Sequence, residues 1–384
     1  MDFNFSSEQL AMTKMLRDFV KKEVQPGYAE RDKSGKFPRD LWKKAGELGL
    51  IGMTLPVEEG GQGADSLTAG LAAEEISRGD PNMSSAVAVV GELVLGLIQK
   101  HAAEKPKKEW LGSLLAGEAV PAIALTEPHC GTDAAAMKSR AVRKGDKYIL
   151  NGEKSGVTLM MDSDVAVVFA KTDPGAGAQG VSGFVVPVDL PGVTRQWYED
   201  MGSRCIRRGS IFMDDVEIPS DNLLGKEGDG FKYVMRLFDF SRIILALTCL
   251  GSAQITLEET IQYTKERHAF GNPLARFEGV SFPITEHYSI IESVRWLCYR
   301  GLWLRDQGQP HTEVAAMCKW MAPRFSVNAI HDCLLMHGHY GYTQEFPFEQ
   351  RLRDVMGVEI ADGTSQVSKI VITRELFGRE YLPY

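Results

Sequence analysis

The apolar pattern of this chain changes period twice, and that switch constrains the fold more than any single residue does. From the start to about residue 120 the apolar residues recur at helical spacing. Ser6 and Gln9 form a capping box. Met12, Met15, Leu16, Phe19, Val20 and Val24 then share one stripe, which Pro26 ends. A second helix fits 39–48 with Gly49 as its stop, a glycine-rich loop spans 58–63, and further helices fit 66–78 and 83–101. From about 122 to 219 short β-rich runs alternate with turns: Tyr148-Ile149-Leu150 before Asn151-Gly152, then 165–170, 184–188 and 211–218. Strands this short, without helices between them, predict a small antiparallel barrel or sandwich. From Gly230 the helical period returns over 231–267, 285–307, 314–336 and 365–377. Val234, Leu237, Phe238, Leu245 and Cys249 form one stripe, and Pro323 is expected to kink the third helix. Four long helices with apolar stripes predict a four-helix bundle. The expected fold is α+β in three parts: an all-α part over 1–120, a β part over 121–229 and the bundle over 230–384.

Composition removes several function classes. With 384 residues and 44% apolar content the chain can bury a core, so disorder is excluded. A dispersed net charge of −8 argues against nucleic acid and gives no membrane-surface signal. Met1-Asp2-Phe3-Asn4-Phe5-Ser6 lacks the basic and apolar regions of a signal peptide. The best apolar run, 86–98, is short for a bilayer span and broken by Glu92, so no membrane insertion is expected. Six scattered cysteines without a C-x-x-C pair fit buried thiols in a reducing cytoplasm.

Four short motifs are weak singly and specific together. Ile360-Ala361-Asp362-Gly363-Thr364-Ser365-Gln366 puts a carboxylate on a glycine turn before a helix; alone, it reads as a turn and an N-cap. The others are Ala124-Leu125-Thr126-Glu127-Pro128 with Gly131-Thr132-Asp133, then Arg267-His268-Ala269-Phe270-Gly271, then Gly338-His339-Tyr340-Gly341-Tyr342-Thr343. In this order, across essentially the whole chain, they resemble the acyl-CoA dehydrogenase family of flavoproteins. The resemblance implies an N-terminal helical domain, a middle antiparallel β-barrel domain and a C-terminal four-helix bundle, with FAD bound between the last two and a homotetrameric assembly. It implies that Leu125, Thr126 and Thr132 line the flavin and neighbouring CoA, and that Thr158 approaches the flavin ring near N5. Arg267, Phe270 and Gly271 match an R-x-x-F-G motif that reaches the FAD of a neighbouring subunit; a guanidinium suits phosphate. Gly338, Gly341, Thr364 and Gln366 complete the implied FAD contacts. Phe238, Asp239 and Arg242 match the CoA-contacting Phe-Asp-x-x-Arg; core packing and an i,i+3 ion pair are the alternative roles. His129, His337 and His339 lie near these motifs, and no spacing marks them as metal ligands.

In the family a carboxylate takes the α-proton of the acyl-CoA thioester while the β-hydride goes to the flavin. A backbone N–H of the base residue and a ribityl hydroxyl bind the thioester oxygen. The family places that carboxylate either before Gly-Thr, here Asp362, or before the arginine of the first bundle helix, here Ser241. Serine cannot serve unaided, so Asp362 is the expected base, with Gly363 beside it. Asp362 is one methylene shorter than the usual Glu, and Gly156 and Ala361 stand where larger residues are common. All three vacate volume, which suits an α-carbon that is branched or in a ring; drift with compensating repacking is the alternative. Within the family the chain most resembles cyclohexanecarboxyl-CoA dehydrogenases, through Glu359 to Thr364, Leu335 to Tyr342 and Phe346-Pro347-Phe348-Glu349-Gln350-Arg351. Glu92, on a helix that helps enclose the acyl chain, could contact substrate or act as a second base; a satisfied salt bridge or an exposed face would also account for it. That helix has no arginine before Lys100; dicarboxylyl-CoA dehydrogenases of the family tend to use one near there, so the resemblance disfavours a substrate with a free carboxylate. The expected partners are an acyl-CoA and electron-transfer flavoprotein. The rival readings are a dehydrogenase of a cyclic unsaturated or short branched-chain acyl-CoA, and a flavin-free acyl-CoA-binding scaffold.

Overall fold

The structure is a computed structural model and describes residues 4–382; Met1, Asp2 and Phe3 of the stretch read for a leader lie outside the described residues. The capping box is present. The N–H of Gln9 donates to Ser6 Oγ (3.2 Å) and that of Ser6 to Gln9 Oε1 (3.0 Å), which starts α1, Ser7–Phe19. The stripe continues through a π turn, Val20–Val24, and a tighter turn, Gln25–Gly27, that contains Pro26. Two helices follow, α2 (Tyr28–Ser34) and α3 (Arg39–Glu47), and Gly49 leaves α3 at φ +67°. Asp65 caps α4 (Ser66–Gly79) through the Thr68 N–H at 2.7 Å. The expected helix 83–101 is present as one helical span made of α5 (Pro81–Ser85), a π turn (Ala86–Gly91) and α6 (Glu92–His101), after which comes α7 (Glu104–Leu115).

The β region holds β1 (Pro121–Ala124), β2 (Arg140–Lys144), β3 (Lys147–Val157), β4 (Val165–Lys171), β5 (Val181–Pro187), β6 (Val193–Trp197) and β7 (Gly209–Pro219). They form one seven-stranded sheet in the order β1-β4-β2-β3-β7-β6, with β5 paired to β4. Most pairs are antiparallel, but β1 and β4 run parallel, so the sheet is mixed. Asn151-Gly152 is no hairpin turn. The strand runs through it, and the register against β7 shifts between Leu150 and Gly152, a bulge that glycine permits at φ +138°.

The C-terminal part holds α8 (Gly230–Glu266), a short hairpin of β8 (His268–Ala269) and β9 (Asn272–Pro273), α9 (Glu278–Asp306), α10 (Thr312–Met336), α11 (Phe348–Val358) and α12 (Ser365–Phe377). The four expected helices are all present, and α10 packs on α9, α11 and α12. Pro323 lies inside α10.

By packing, the chain divides into two compact units. One comprises Met1–Asp32, Asp65–Ser85 and Asp239–Tyr384. Its interior is helical, with Leu247 and Leu302 close enough to Gly70 that a side chain there would collide with both. The other comprises Lys33–Ala64 and Ala86–Phe238 and contains the sheet. One face of that sheet buries Tyr148, Leu150, Val168, Phe184, Val186, Ile211 and Ile218 in a single core. Trp42 of α3 is fully enclosed within this unit and donates Nε1–H to the Ala119 carbonyl at 3.0 Å. Two helical spans, Pro81–His101 and Gly230–Glu266, are long and apolar enough to cross a bilayer, contrary to the run-length reading, but nearly all of their apolar windows are buried within the protein.

Candidate active site

The helical unit places Asp362 on the turn between α11 and α12. Its backbone is left-handed, φ +55°, and Gly363 follows at φ +94°. Aspartate tolerates that region better than most residues. Thr364 caps α12 by accepting from the Val367 N–H at 3.3 Å. The turn is tied from beneath. Lys319 of α10 is fully buried, and its ammonium donates to the carbonyls of Val358 (2.7 Å) and Gly363 (3.0 Å). Arg242 of α8 donates Nε–H to the Asp362 carbonyl at 3.4 Å. The Asp362 carboxylate accepts from the Ser241 hydroxyl at 2.5 Å. Burial pushes the Asp362 carboxyl up to about 6, against the pull of Arg242, the Ser241 hydroxyl and Lys319. Burial likewise lowers Lys319, while Asp362 pulls it the other way. The i,i+3 pair between Asp239 and Arg242 forms at 3.3 Å, and Asp239 also accepts from Thr312 Oγ1 at 2.5 Å. Phe238 and Arg242 are half-buried.

Sequence reasoning passed over Lys319 and dismissed Ser241 as a base without seeing it as a partner. A signal for Lys319 existed: it is a lone charge among the buried positions Val314, Ala315, Cys318 and Ala322 of α10.

The remaining residues of this unit that the resemblance assigns to FAD fall on three segments: the β8–β9 hairpin, 338–341 and the start of α12. Arg267 and Phe270 belong to the β8–β9 hairpin, whose turn residues Phe270 and Gly271 both have positive φ, +50° and +76°. Phe270 is 94% exposed at the tip, and Arg267 is exposed at its base. Gly338 is exposed with φ +60°; Gly341 is buried, and a Cβ there would lie 2.1 Å from the Leu334 carbonyl oxygen. His337 turns inward. It donates Nδ1–H to the Cys333 carbonyl at 2.8 Å and stacks on Tyr263, and burial lowers its basicity. His339 and Gln366 are exposed.

The sheet-bearing unit carries Leu125, Thr126, Thr132 and Thr158. The loop after β1 is closed by a backbone bridge between Glu127 and Cys130, and it is anchored by an ion pair the sequence reading did not identify. Lys154 of β3, fully buried, donates to Glu127 Oε1 (2.7 Å) and to the Leu125 carbonyl (3.0 Å). Burial would raise the Glu127 carboxyl, but the N–H of Lys138 and the Lys154 ammonium hold it below the usual range; burial lowers Lys154. The Ser155 N–H donates to the Thr126 carbonyl at 2.9 Å, which ties the loop to the strand end. Leu125, Thr126 and Thr158 are half-buried, and Thr132 is exposed. A Cβ at Gly156 would meet no heavy atom within 4 Å. Glu127, His129 and Cys130 bring ligand atoms within 4.8 Å of one another, but the carboxylate is already engaged by Lys154 and two backbone N–H groups. Glu92 is buried at the start of α6, right after the π turn. It accepts from Thr54 N–H (3.2 Å) and Thr54 Oγ1 (2.8 Å).

These residues suit FAD. Among the described residues, buried hydroxyls without a protein partner include Ser365 and Ser368, both at the N-terminus of α12, where anions and polar edges are favoured. Open space lies over Gly156, Gly271 and Gly338.

Comparison with known proteins agrees along the whole chain. The N-terminal, middle and C-terminal domain models of acyl-CoA dehydrogenase match residues 6–118, 122–216 and 228–377. The short-chain specific acyl-CoA dehydrogenase of Rattus norvegicus mitochondria is 37% identical over 361 residues, covering 94% of this chain and 88% of the relative. Butyryl-CoA dehydrogenase from Megasphaera elsdenii superposes with a TM-score of 0.94 at 32% identity, covering 98% of this chain and all of that one. A chain solved in work on the electron transferring flavoprotein of Acidaminococcus fermentans gives 0.95 at 37% identity, with 98% and 100% covered. The chain therefore belongs to the acyl-CoA dehydrogenase family, FAD-dependent oxidoreductases that act on a CH–CH bond of an acyl-CoA.

Proposed function

We propose that the protein oxidises a cyclic acyl-CoA, cyclohexane-1-carboxyl-CoA to cyclohex-1-ene-1-carboxyl-CoA, with Asp362 as base. The observation that supports the base is its setting: a desolvated carboxylate, pKa raised to about 6, held by Ser241 and backed by Arg242 and Lys319. A base near neutrality is strong enough to take a thioester α-proton and is still ionised at working pH. The α-C–H bond breaks heterolytically; the proton goes to the Asp362 carboxylate, and the electron pair passes into the new double bond. FAD, when bound, accepts the β-hydride. Thr126, Thr132, Thr158, Gly338, Gly341, Thr364 and Gln366 would hold it, and Arg267 and Phe270 of a neighbouring copy would complete the site in a homotetramer. Phe238, Asp239, Arg242 and Gly363 would meet the CoA ester, and Glu92 would border the acyl group.

Open space over Gly156, the alanine at 361 and the short Asp362 support a wide pocket. The relatives named for short-chain and butyryl substrates support a second reading, a short linear acyl-CoA. Electron-transfer flavoprotein is the proposed acceptor, in keeping with the Acidaminococcus likeness. All six cysteines are free and buried, which supports a reducing compartment, the cytoplasm.

The test is anaerobic flavin bleaching by a panel of acyl-CoAs. Cyclohexanecarboxyl-CoA is expected to exceed butyryl- and octanoyl-CoA in kcat/KM by about 10–200-fold, the worth of a fitted methylene or two. A preference for butyryl-CoA would establish the second reading instead.

A further inference from the structure

Asp362 stands on a turn in a conformation few side chains choose, so something must fix where its carboxylate points. The contacts divide into two kinds. Lys319 and Arg242 hydrogen-bond the backbone of the turn, at the carbonyls of Val358, Gly363 and Asp362, and act on the carboxylate through their charge. Ser241 grips the carboxylate itself, at Oδ2. Ser241 is 1% exposed. Its neighbour Arg242 is locked to Asp239, and Asp239 to Thr312 of α10, so this turn of α8 is held on both sides.

We propose that Ser241 is a positioning residue for the base: its hydroxyl holds Oδ2 of Asp362, aims Oδ1 at the α-proton and favours the ionised form. The inference rests on the reading of Asp362 as base. A hydroxyl that donates to a carboxylate stabilises the charged form, so its loss raises the carboxyl pKa. It also lets the side chain rotate, which a proton-transfer geometry tolerates poorly. The charged groups that face Asp362 are Arg242 and Asp239 on α8 and Lys319 on α10, with Glu359 near Lys319 on the same turn. None of them is changed by substitution at 241, so a shift reports the hydroxyl.

The experiment follows the rate of flavin reduction against pH in the FAD-loaded protein, for wild type, Ser241→Ala, Ser241→Cys, Ser241→Thr and Asp362→Asn. Ser241→Ala and Ser241→Cys are expected to move the acid limb up by about one pH unit, the usual effect of one donor on a carboxylate. Their plateau rate is expected to fall by roughly 3–10-fold with little change in KM, because positioning acts on the proton transfer and leaves ester binding alone. Ser241→Thr, which keeps the hydroxyl, is expected to restore the wild-type limb. If the alanine variant loses FAD, the cysteine variant, close to serine in volume, carries the comparison. Acid limbs that coincide with wild type in both, while Asp362→Asn is inactive, would overturn the role of Ser241 and leave the base standing. An active Asp362→Asn would remove the base reading itself.

Discussion

Position 362 joins two demands in one side chain: a left-handed backbone, which short polar residues accept, and a half-buried carboxylate whose pKa burial raises. The second has a thermodynamic signature. The folded-state pKa, about 6, stands above the ordinary value of 3.8. Between those values the folded protein keeps a proton the unfolded chain has lost, so stability falls as pH rises through that window and is level above it. Asp362→Asn mimics the protonated form. It is expected to melt higher than wild type at pH 8, by about 1–3 °C, and no higher near pH 4. An equal difference at both pH values would mean the carboxylate is not desolvated. Asp362→Glu restores the lost methylene and is expected to shift preference toward unbranched acyl-CoA, read as kcat/KM on cyclohexanecarboxyl- against butyryl-CoA; an unchanged ratio would separate pocket width from the base. The sequence singles this residue out as the candidate base because Asp-Gly-Thr stands in order with the other motifs. Its holders were not. Ser241 and Lys319 lie 121 and 43 positions away, and only packing of α8 and α10 against the turn brings them in.

Elements reproduced the sequence reading where a local rule acts alone. The Ser6–Gln9 box, the Gly49 stop and the extent of α10 and α12 each follow from residues within a few positions. The reading failed where tertiary pairing overrode a local signal. Asn151-Gly152 has the composition of a hairpin turn, yet β7 pairs on both sides of it and turns it into a bulge. The helix read over 83–101 is present as the span Pro81–His101, with a π turn over Ala86–Gly91 just before Glu92 that spacing alone does not reveal. The loop after β1 was recognised by its threonines, but what fixes it is Glu127–Lys154. Breaking a buried pair strands the remaining charge, so Lys154→Met is expected to cost about 3 kcal/mol of stability and to weaken FAD retention. Denaturant midpoint and flavin content of the purified variant measure both. A variant that melts lower but keeps full FAD would show that the loop holds its shape without the lysine.

Across the whole chain, the order helix, sheet, helix was readable because period alone separates the two kinds of region. The boundary of packing was not, since helices before residue 120 are shared between the two compact units. Several large apolar side chains stay exposed, Phe270, Tyr342 and Tyr381 among them, a pattern that fits assembly with further copies. If the proposed site is shared between copies, Arg267→Ala is expected to lower FAD content and the stability of the assembly together, followed by light scattering and absorbance on the same sample. A wild-type monomer with full FAD would refute a shared site. The proposed base is tested most directly by anaerobic reduction of the bound flavin, wild type against Asp362→Asn, with one acyl-CoA that wild type oxidises. The expected result is full FAD content in both and a rate lower by about 10²–10⁴-fold in the variant, the range of general base catalysis. A near-wild-type rate in Asp362→Asn would contradict it.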